Sequence, residues 1–448
     1  MKKPISEARR EVEPFTTAGS RETSQENASF FQVTSTVLFI LTMCGIVAFL
    51  LASVIWFYES AEFSRDSTTT PGYKTIRKDS RPVSCNKRMV GYFTETESID
   101  VTKSQLEKLT HAVFAYMQVN WDGSIVFKSE AAFNKFSSLL KKSKEVGNRV
   151  KVMFAIGGEH NSQYFATIAS QPAKKEKLIY SVLKILTEYQ IDGVDIYWKY
   201  AKIADKSNYI SLLKDLRDKL NEFSAYQNYT VSITLPAARI EGWELAYDLE
   251  QTLEHVDFIN VYSMDYHGPW EHRYGDTAGP TAPLFGGFRA RRNFNVNTTM
   301  LYYVCNTKQP HRFNMAIPFY AMLWRNVSVP FDNSSEAVRR VELKDNKAEG
   351  KAYMSRIQVE QDRWKLNNAT WDDKFKSSYI WVPETRTYLA FENPRSLAAK
   401  VDYVNSMNLG GVWIWSVDMD DEHSSLLNDL SWKKLCANSS GVGVQYTC

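Results

Sequence analysis

The chain has 448 residues, of which 44% are hydrophobic and 23% are charged, and its formal net charge is +3. This is the composition of an ordinary globular protein, large enough for one big domain with additional segments. The nearly balanced charge gives no reason to expect a nucleic-acid partner, and no phosphate loop, zinc-ligand spacing or nucleophile elbow stands out, so no cofactor or metal is predicted.

The first predicted element is a membrane-spanning helix over residues 36–58. No charged residue occurs between Glu26 and Glu59, and Val, Leu, Ile, Phe, Ala and Met dominate this run. At about 1.5 Å per residue, such a helix would cross a hydrocarbon core of ~30 Å. A cleaved signal peptide is the alternative, but the preceding polar stretch is longer than an ordinary n-region and the apolar run exceeds the usual ~7–15 residues. Residues 59–84, rich in Ser, Thr, Pro and charge, are predicted to form a flexible stalk.

The orientation of this helix follows from features on its carboxyl side, because the positive charges on its two flanks are nearly equal in number. Six glycosylation sequons follow the helix, at Asn228, Asn297, Asn326, Asn333, Asn368 and Asn438. Four of the five cysteines follow it too, namely Cys85, Cys305, Cys436 and Cys448. Such features are typical of an oxidising compartment and would allow two disulfides with three possible connectivities. The sequence therefore predicts a single-pass type II protein with residues 1–35 as a cytoplasmic tail and a lumenal or extracellular carboxyl-terminal domain.

Beyond the stalk, short apolar strands alternate with helix-period segments over some 350 residues, which favours a parallel sheet with right-handed crossovers. The predicted strands cover residues 88–93, 110–116, 151–158, 192–199, 229–236, 256–268, 316–320 and 409–418. A helix is predicted over residues 208–220, where apolar residues form one stripe and Ser207 is a plausible N-cap.

The fourth strand carries the most informative motif, Asp192-Gly-Val-Asp-Ile-Tyr-Trp-Lys199. Because strand side chains alternate between faces, Asp195, Tyr197 and Lys199 should project to one side. This run resembles the signature of the family 18 glycoside hydrolases, the chitinases and their relatives, which reads Asp-Gly-x-Asp-x-Asp-Trp-Glu. Tyr197 replaces the middle Asp of that signature, and Lys199 replaces the Glu.

The resemblance extends in order through all eight predicted strands. It implies an α/β fold, a (β/α)8 TIM barrel over residues 85–436, with residues 437–448 as a carboxyl-terminal tail. The stretch over residues 324–387 is too long for a plain loop. The resemblance implies that it holds a small α+β insertion between the seventh strand and a helix beginning near Asn393. In such barrels the ligand site lies at the carboxyl ends of the strands, where Lys199, Asp265 and Trp415 fall.

The substitutions in the motif predict a protein without chitinase activity. The resemblance implies a substrate-assisted mechanism in which the Glu protonates the glycosidic oxygen and the middle Asp orients the N-acetyl group of the sugar. Lysine has a reference pKa near ~10.4, so at neutral pH it keeps its proton and is a poor general acid. Lys199 is instead predicted to be a structural cation paired with Asp195 or Asp265. Met264 also replaces the Tyr that contacts the N-acetyl group in the family.

Sugar binding is a separate question, because pyranose rings stack on aromatic side chains. The resemblance implies substrate contacts for Tyr92, Asp265, Trp270 and Trp415. Platform tryptophans of many family members are replaced by Thr96 and Glu159, and Met322 stands in place of an Arg. Core packing is the alternative explanation for the tryptophans in the strands, Trp198 and Trp415.

Three hypotheses remain open at this stage. The first is a membrane-anchored, catalytically inactive chitinase-like protein that binds chitin or other glycans containing N-acetylglucosamine. The second is a protein-binding scaffold without sugar binding, favoured by Met264 and Met322 in the predicted pocket. The third is an active glycosidase of altered mechanism that uses Asp265 or Lys199 in a new role.

Overall fold

The computed structural model describes residues 87–97, 99–223, 228–271, 274–331, 335–430, 432–436 and 448. All of them belong to one structural unit, residues 78–448. The predicted tail, membrane helix and stalk lie outside the described residues. Among the helices that are described, none is long and apolar enough to cross a membrane.

Eight parallel strands form a closed barrel. Neighbouring strands pair in the order β1-β8-β7-β6-β5-β4-β3-β2, and β2 pairs back onto β1. The strands are β1 Arg88–Thr94, β2 His111–Val119, β3 Lys151–Gly157, β4 Gly193–Tyr197, β5 Thr230–Leu235, β6 Phe258–Val261, β7 Phe313–Pro318 and β8 Gly411–Trp415. A two-residue strand, Ile125–Val126, adds an antiparallel hairpin to β2. The predicted (β/α)8 barrel is confirmed.

Helices follow the strands and cover the barrel. The α-helices are Lys103–Leu106, Glu130–Glu145, Phe165–Ser170, Pro172–Glu188, Lys206–Phe223, Leu249–His255, Val296–Thr307, Arg356–Gln361, Pro394–Ser406, Ser425–Asp429 and Trp432–Cys436. The longer ones present apolar stripes to the strands, as in Lys206–Phe223, where Tyr209, Leu213 and Leu216 are buried. One continuous hydrophobic core therefore fills the space between the strands and the helices.

Several predicted boundaries are wrong, among them the end of the sixth strand and the start of the helix predicted over residues 208–220. Strand β6 ends at Val261 rather than continuing to residue 268, and farther along the loop Asp265 adopts a left-handed backbone with φ of 58°. Ser207 is not an N-cap, because the helix already begins at Lys206, directly after a 3-10 turn over Ile203–Asp205. The helix predicted near Asn393 does begin there, with the Asn393 side chain as its N-cap.

The insertion is built on a five-stranded antiparallel sheet. Its strands, in spatial order, are Gly350–Met354, Ala321–Trp324, Thr387–Phe391, Ser377–Val382 and Thr370–Asp372. The helix Arg356–Gln361 belongs to the same segment. Because Ala321–Trp324 pairs with Thr387–Phe391, the sheet extends beyond both limits of the predicted 324–387 segment. A second, three-stranded sheet joins Val327–Pro330 and Arg339–Val341 to Thr277–Ala278, which follows β6.

The disulfide Cys305–Cys448 ties the end of the chain to the helix Val296–Thr307, with the two Cα atoms 5.6 Å apart. Cys436 is disulfide-bonded as well, and Cys85 lies outside the described residues. One pair of the predicted disulfide framework is thereby defined.

The sequons differ in accessibility. Asn228 and Asn368 are exposed. Asn297 is half-buried on a helix, and its carbonyl accepts a hydrogen bond from the Tyr403 hydroxyl at 3.0 Å. Asn326 is half-buried and donates to Glu349 at 3.1 Å. The remaining two, Asn333 and Asn438, lie outside the described residues, and glycosylation itself stays a prediction.

Candidate functional site

The candidate site lies where the barrel strands end. Tyr197 is the last residue of β4, Trp415 is the last residue of β8, and Asp265 follows β6 in the chain. Because the strands are parallel, these carboxyl ends meet at one end of the barrel, as the sequence predicts. Lys199 lies two residues beyond β4, and its neighbour Tyr200 takes a left-handed backbone with φ of 63°.

Asp195 lies on β4, two residues before the end of that strand, and is completely buried. Its carboxylate accepts hydrogen bonds from the hydroxyls of Ser232 at 2.6 Å and Thr234 at 3.2 Å, both on β5. Burial raises the pKa of Asp195 to about 6, although these donors act in the opposite direction. This carboxyl group is therefore part of the barrel interior and does not face the cleft.

A chain of buried polar side chains continues from Asp195 along the inside of the barrel. Asn260 lies 3.5 Å from Asp195 and accepts from Asn314 at 2.9 Å, and Asn314 in turn accepts from Arg88 at 3.0 Å. Asn260 also donates to the Tyr92 hydroxyl at 2.9 Å. These bonds satisfy polar groups that would otherwise destabilise the barrel core.

Lys199 forms an ion pair with Glu159, with Nζ 2.8 Å from Oε2. Its ammonium also lies 4.9 Å from the ring centre of Tyr200 and 5.6 Å from that of Tyr262. Burial lowers the pKa of Lys199, but the hydrogen bond to Glu159 and the attraction of Tyr200 outweigh this effect, so the pKa lies above its ordinary value. The prediction that Lys199 pairs with Asp195 or Asp265 is wrong. The carboxylate in ion-pair contact with its ammonium belongs to Glu159, just after β3.

Asp265 is held by three tyrosine hydroxyls. Tyr262 donates to it at 2.5 Å, Tyr353 donates at 3.0 Å, and Tyr320 donates to its other oxygen. Burial raises the pKa of Asp265, and the three donors and Lys199 oppose that shift. Tyr353 belongs to the insertion, so this carboxylate connects the loop after β6 to the insertion sheet.

Aromatic rings fill the space around Trp415. The indole is partly exposed, and Tyr116 stacks on it with ring centres 5.5 Å apart and an interplanar angle of 28°. Tyr92 also packs against Trp415 at 5.6 Å, but Tyr92 is only 1% exposed. The predicted direct sugar contact of Tyr92 is therefore not supported by its position, because other rings cover it.

Of the remaining residues predicted for the site, some are buried and one is partly exposed to solvent. Met264 and Met322 are buried in the core, so they do not offer apolar surface to a partner, contrary to the prediction. Trp198 is buried against Phe165, with ring centres 5.5 Å apart, which is the core packing considered for it. Trp270 is partly exposed, and its ring lies 5.7 Å from that of Tyr353.

Within the described ranges, no group of three His, Cys, Asp or Glu side chains is arranged to hold a metal ion. Acid–base groups at the mouth of the barrel include Lys199, Glu159 and Asp265, together with tyrosine hydroxyls.

A comparison with protein families decides the relationship. The model of the glycosyl hydrolases family 18 matches residues 88–420, well over half of the chain. The chain belongs to glycoside hydrolase family 18. Its Asp195, Tyr197 and Lys199 lie inside the matched region, on the strand and loop where the signature was found.

Relatives within family 18 are distant. The chain is 23% identical to Chitinase B of Serratia marcescens, over 82% of this chain and 88% of that protein. It is 26% identical to Probable chitinase 2 of Drosophila melanogaster, but over only 56% of that protein's length. The group IV chitinase of Ostrinia furnacalis has the same fold, with a TM-score of 0.65, 23% identity and coverage of 78% of this chain and 99% of that one. YKL-39, solved in the presence of chitooligosaccharides, is similar with a TM-score of 0.64, 20% identity and coverage of 79% and 98%.

Several residues of the site were not found by sequence reasoning. Tyr116 was assigned only to a strand, and Tyr262, Tyr320 and Tyr353 were not connected with Asp265. Glu159 was noted only as a lost platform residue. The family signature carries no signal for these contacts, because the partners lie on different strands or on the insertion.

Proposed function

We propose that this family 18 protein is catalytically inactive toward chitin and that its cleft binds glycans containing N-acetylglucosamine. The ion pair between Lys199 and Glu159 supports the proposed inactivity. Lys199 occupies the signature position of the proton-donating Glu. An ammonium with a raised pKa does not give up its proton to a leaving oxygen near neutral pH.

The size of this loss supports inactivity. General acid catalysis is typically worth about 10²–10⁴ in rate. The replacement of the middle Asp by Tyr197 removes in addition the anionic group that would orient the N-acetyl nucleophile. Tyr197 cannot supply that charge, because burial holds the pKa of its hydroxyl well above the ordinary value.

Glycan binding is supported by two partly exposed tryptophans, Trp415 at the end of β8 and Trp270 in the loop after β6. Aromatic faces of this kind stack on the C–H faces of pyranose rings. The Asp265 carboxylate and its tyrosine donors lie between β6 and the insertion and provide polar groups for hydroxyls of a sugar. YKL-39, with the same fold, was solved in the presence of an N-acetylglucosamine tetramer.

Titration calorimetry with the N-acetylglucosamine tetramer tests the proposed glycan binding, and an assay for released sugar on the same protein tests the proposed inactivity. We expect binding without turnover above a buffer control. Replacing Trp415 with Ala should weaken binding about tenfold or more, because about 1.4 kcal/mol of stacking corresponds to a factor of ten. Trp121→Ala is the matched control, since Trp121 is 64% exposed in the turn after β2. Turnover by the wild type would refute inactivity, and equal loss in both variants would refute sugar stacking on Trp415.

A protein-binding scaffold is the second candidate, and one surface favours it. Four large apolar side chains beside Lys199 are exposed, at the loops that follow β4 and β5, namely Tyr200, Ile203, Trp243 and Leu245. The rings of Tyr200 and Trp243 lie 5.3 Å apart, so the surface is continuous there. Absence of tetramer binding by a folded wild type would favour this scaffold function. An altered glycosidase mechanism is the third candidate, and wild-type hydrolysis that is lost in Asp265→Asn would establish it.

A further inference from the structure

A basic surface lies at the three-stranded sheet that follows β6 in the chain. It includes Arg289 and Arg340, two exposed residues beside the half-buried ring of Phe331, and Arg292 is an exposed residue close to Arg289 in the chain. Arg340 is the outward residue of the strand Arg339–Val341, whose two other side chains are buried. Arg289 is the first residue of a short 3-10 turn, Arg289–Arg291, in the loop that leads to the helix Val296–Thr307, and Arg292 directly follows that turn.

Two of these guanidinium groups share one aromatic ring. The guanidinium carbon of Arg340 lies 4.4 Å from the ring centre of Phe331, and that of Arg289 lies 5.6 Å from it, which places the two within about 10 Å of each other. The ring is itself fixed, because Phe288 packs on it with ring centres 4.2 Å apart. Cation–π contacts of this kind orient arginine side chains before any ligand arrives.

Two neighbouring arginines, Arg291 and Arg339, each form an ion pair with a carboxylate. Arg291 pairs with Asp276, and Arg339 pairs with Glu336. By contrast, no carboxylate of the described residues lies within salt-bridge distance of Arg289, Arg292 or Arg340. Guanidinium groups without a carboxylate partner keep their hydrogen-bond donors available to an anionic ligand.

We propose that this basic surface binds a sulfated glycan. Arginine forks donate paired hydrogen bonds to planar or tetrahedral oxyanions such as sulfate and carboxylate. The patch is too small for the 6–10 phosphate contacts of a typical nucleic-acid interface or for the cluster of roughly 4–8 basic residues that binds an anionic membrane. A sugar chain that carries sulfate groups at successive rings suits two or three fixed guanidiniums beside an aromatic ring.

Binding of the full-length chain to immobilised heparin in 0.15 M NaCl tests this proposal. The double variant Arg289→Ala/Arg340→Ala should bind at least about tenfold more weakly, since each charged hydrogen bond to a ligand is worth about a factor of ten. The charge-conserving Arg289→Lys/Arg340→Lys should bind more weakly than wild type but more tightly than the alanine variant. Desulfated heparin should not bind.

A control variant removes two positive charges from a different surface of the protein. Lys141 and Lys144 are exposed on the helix Glu130–Glu145, between β2 and β3, and Lys141→Ala/Lys144→Ala should change heparin binding less than about twofold. An equal loss in both double variants would mean that heparin senses only net charge, and the proposal would fail. It would also fail if the wild type did not bind heparin, or if vesicles containing phosphatidylserine bound with the same dependence on Arg289 and Arg340. Unchanged thermal unfolding of the variants shows that they are folded.

Discussion

Lys199 rearranges the charges at the mouth of the barrel. Where the family signature has a carboxylic acid, this chain has an ammonium, and Glu159 provides the compensating charge from the loop after β3. Lys199 is nearly covered, whereas the Glu159 side chain is about half exposed. Solvent around Glu159 weakens such a pair, so its function is to set the local charge more than to stabilise the fold.

Restoring the acid alone should not restore hydrolysis. In Lys199→Glu the new carboxylate would face Glu159 and would still lack the orienting Asp. We expect no turnover of chitooligosaccharides by this variant. Tyr197→Asp/Lys199→Glu/Met264→Tyr should give more activity than any of its single changes, because residues of one catalytic unit are strongly non-additive. Adding Glu159→Gln should raise it further. Activity of Lys199→Glu equal to that of the triple variant would contradict this expectation.

Asp195 makes the stability of the barrel depend on pH. Its pKa is raised from an unfolded value near ~3.9 to about 6, so the folded state binds the proton more tightly. The free energy of unfolding should therefore fall as the pH rises from about 4 to about 6, by roughly 3 kcal/mol for a shift of this size. Asp195→Asn should make that dependence shallower.

Urea denaturation at pH 4, 5, 6 and 7 measures this effect. Some slope should remain in Asp195→Asn, because burial also raises the pKa of Asp420 to about 6. A variant with the same pH slope as the wild type would show that Asp195 is not the group responsible.

Among the larger elements, the insertion depends on a few polar contacts with the barrel. Asp265 receives hydroxyl hydrogen bonds from Tyr320, just after β7, and from Tyr353 on the insertion strand Gly350–Met354. These bonds stabilise Asp265 in its left-handed backbone conformation. Without such contacts, that conformation costs on the order of 1–3 kcal/mol. The loop after β6 and the insertion should therefore loosen together.

Tyr353→Phe tests this coupling. The change removes one hydrogen bond to a carboxylate and should destabilise the protein by about 1 kcal/mol, because Tyr353 is partly exposed. Hydrogen exchange of the backbone amides in the loop after β6 and in residues 350–354 should become faster. Tyr164→Phe is a control of similar exposure and should leave both segments unchanged. Faster exchange in Gly350–Met354 alone would mean that the two elements are not coupled.

The barrel strands could be predicted because their apolar runs, their order and the signature at Asp192–Lys199 are properties of contiguous sequence. The lengths of β4 and β6 could not be predicted from the apolar runs, because both strands end inside those runs, at Tyr197 and Val261. The partner of Lys199 was missed as well. Glu159 is separated from it by a strand crossover, and the parallel pairing of β3 with β4 brings the two together.

On the scale of the whole molecule, membrane anchoring is a prediction from the sequence before residue 87. We expect alkaline carbonate to leave the protein in the membrane pellet, because the uncharged run over residues 36–58 is long enough to span a bilayer. Endoglycosidase treatment should increase its mobility on a gel, since six sequons follow that run. Release by carbonate would contradict the anchor, and an unshifted band would contradict the orientation.

The disulfide Cys305–Cys448 should stabilise the domain substantially. It joins residues separated by 143 positions, and a native disulfide typically contributes about 2–4 kcal/mol. Cys448→Ser should lower the free energy of unfolding by this amount in a urea titration. Cys305→Ala/Cys448→Ser should lose little more than the single variant, because both remove the same bond. Additive losses, or free thiols at these two cysteines in the wild type, would contradict the assignment.

The same bond encloses β7, the insertion and β8 in one covalent ring. A protease that cuts a loop of the insertion therefore opens the ring without separating the molecule. The nicked protein should migrate as one band under non-reducing conditions and as two fragments after treatment with a thiol. Shedding of the carboxyl-terminal third from a cell would consequently require both a cleavage and a reducing environment.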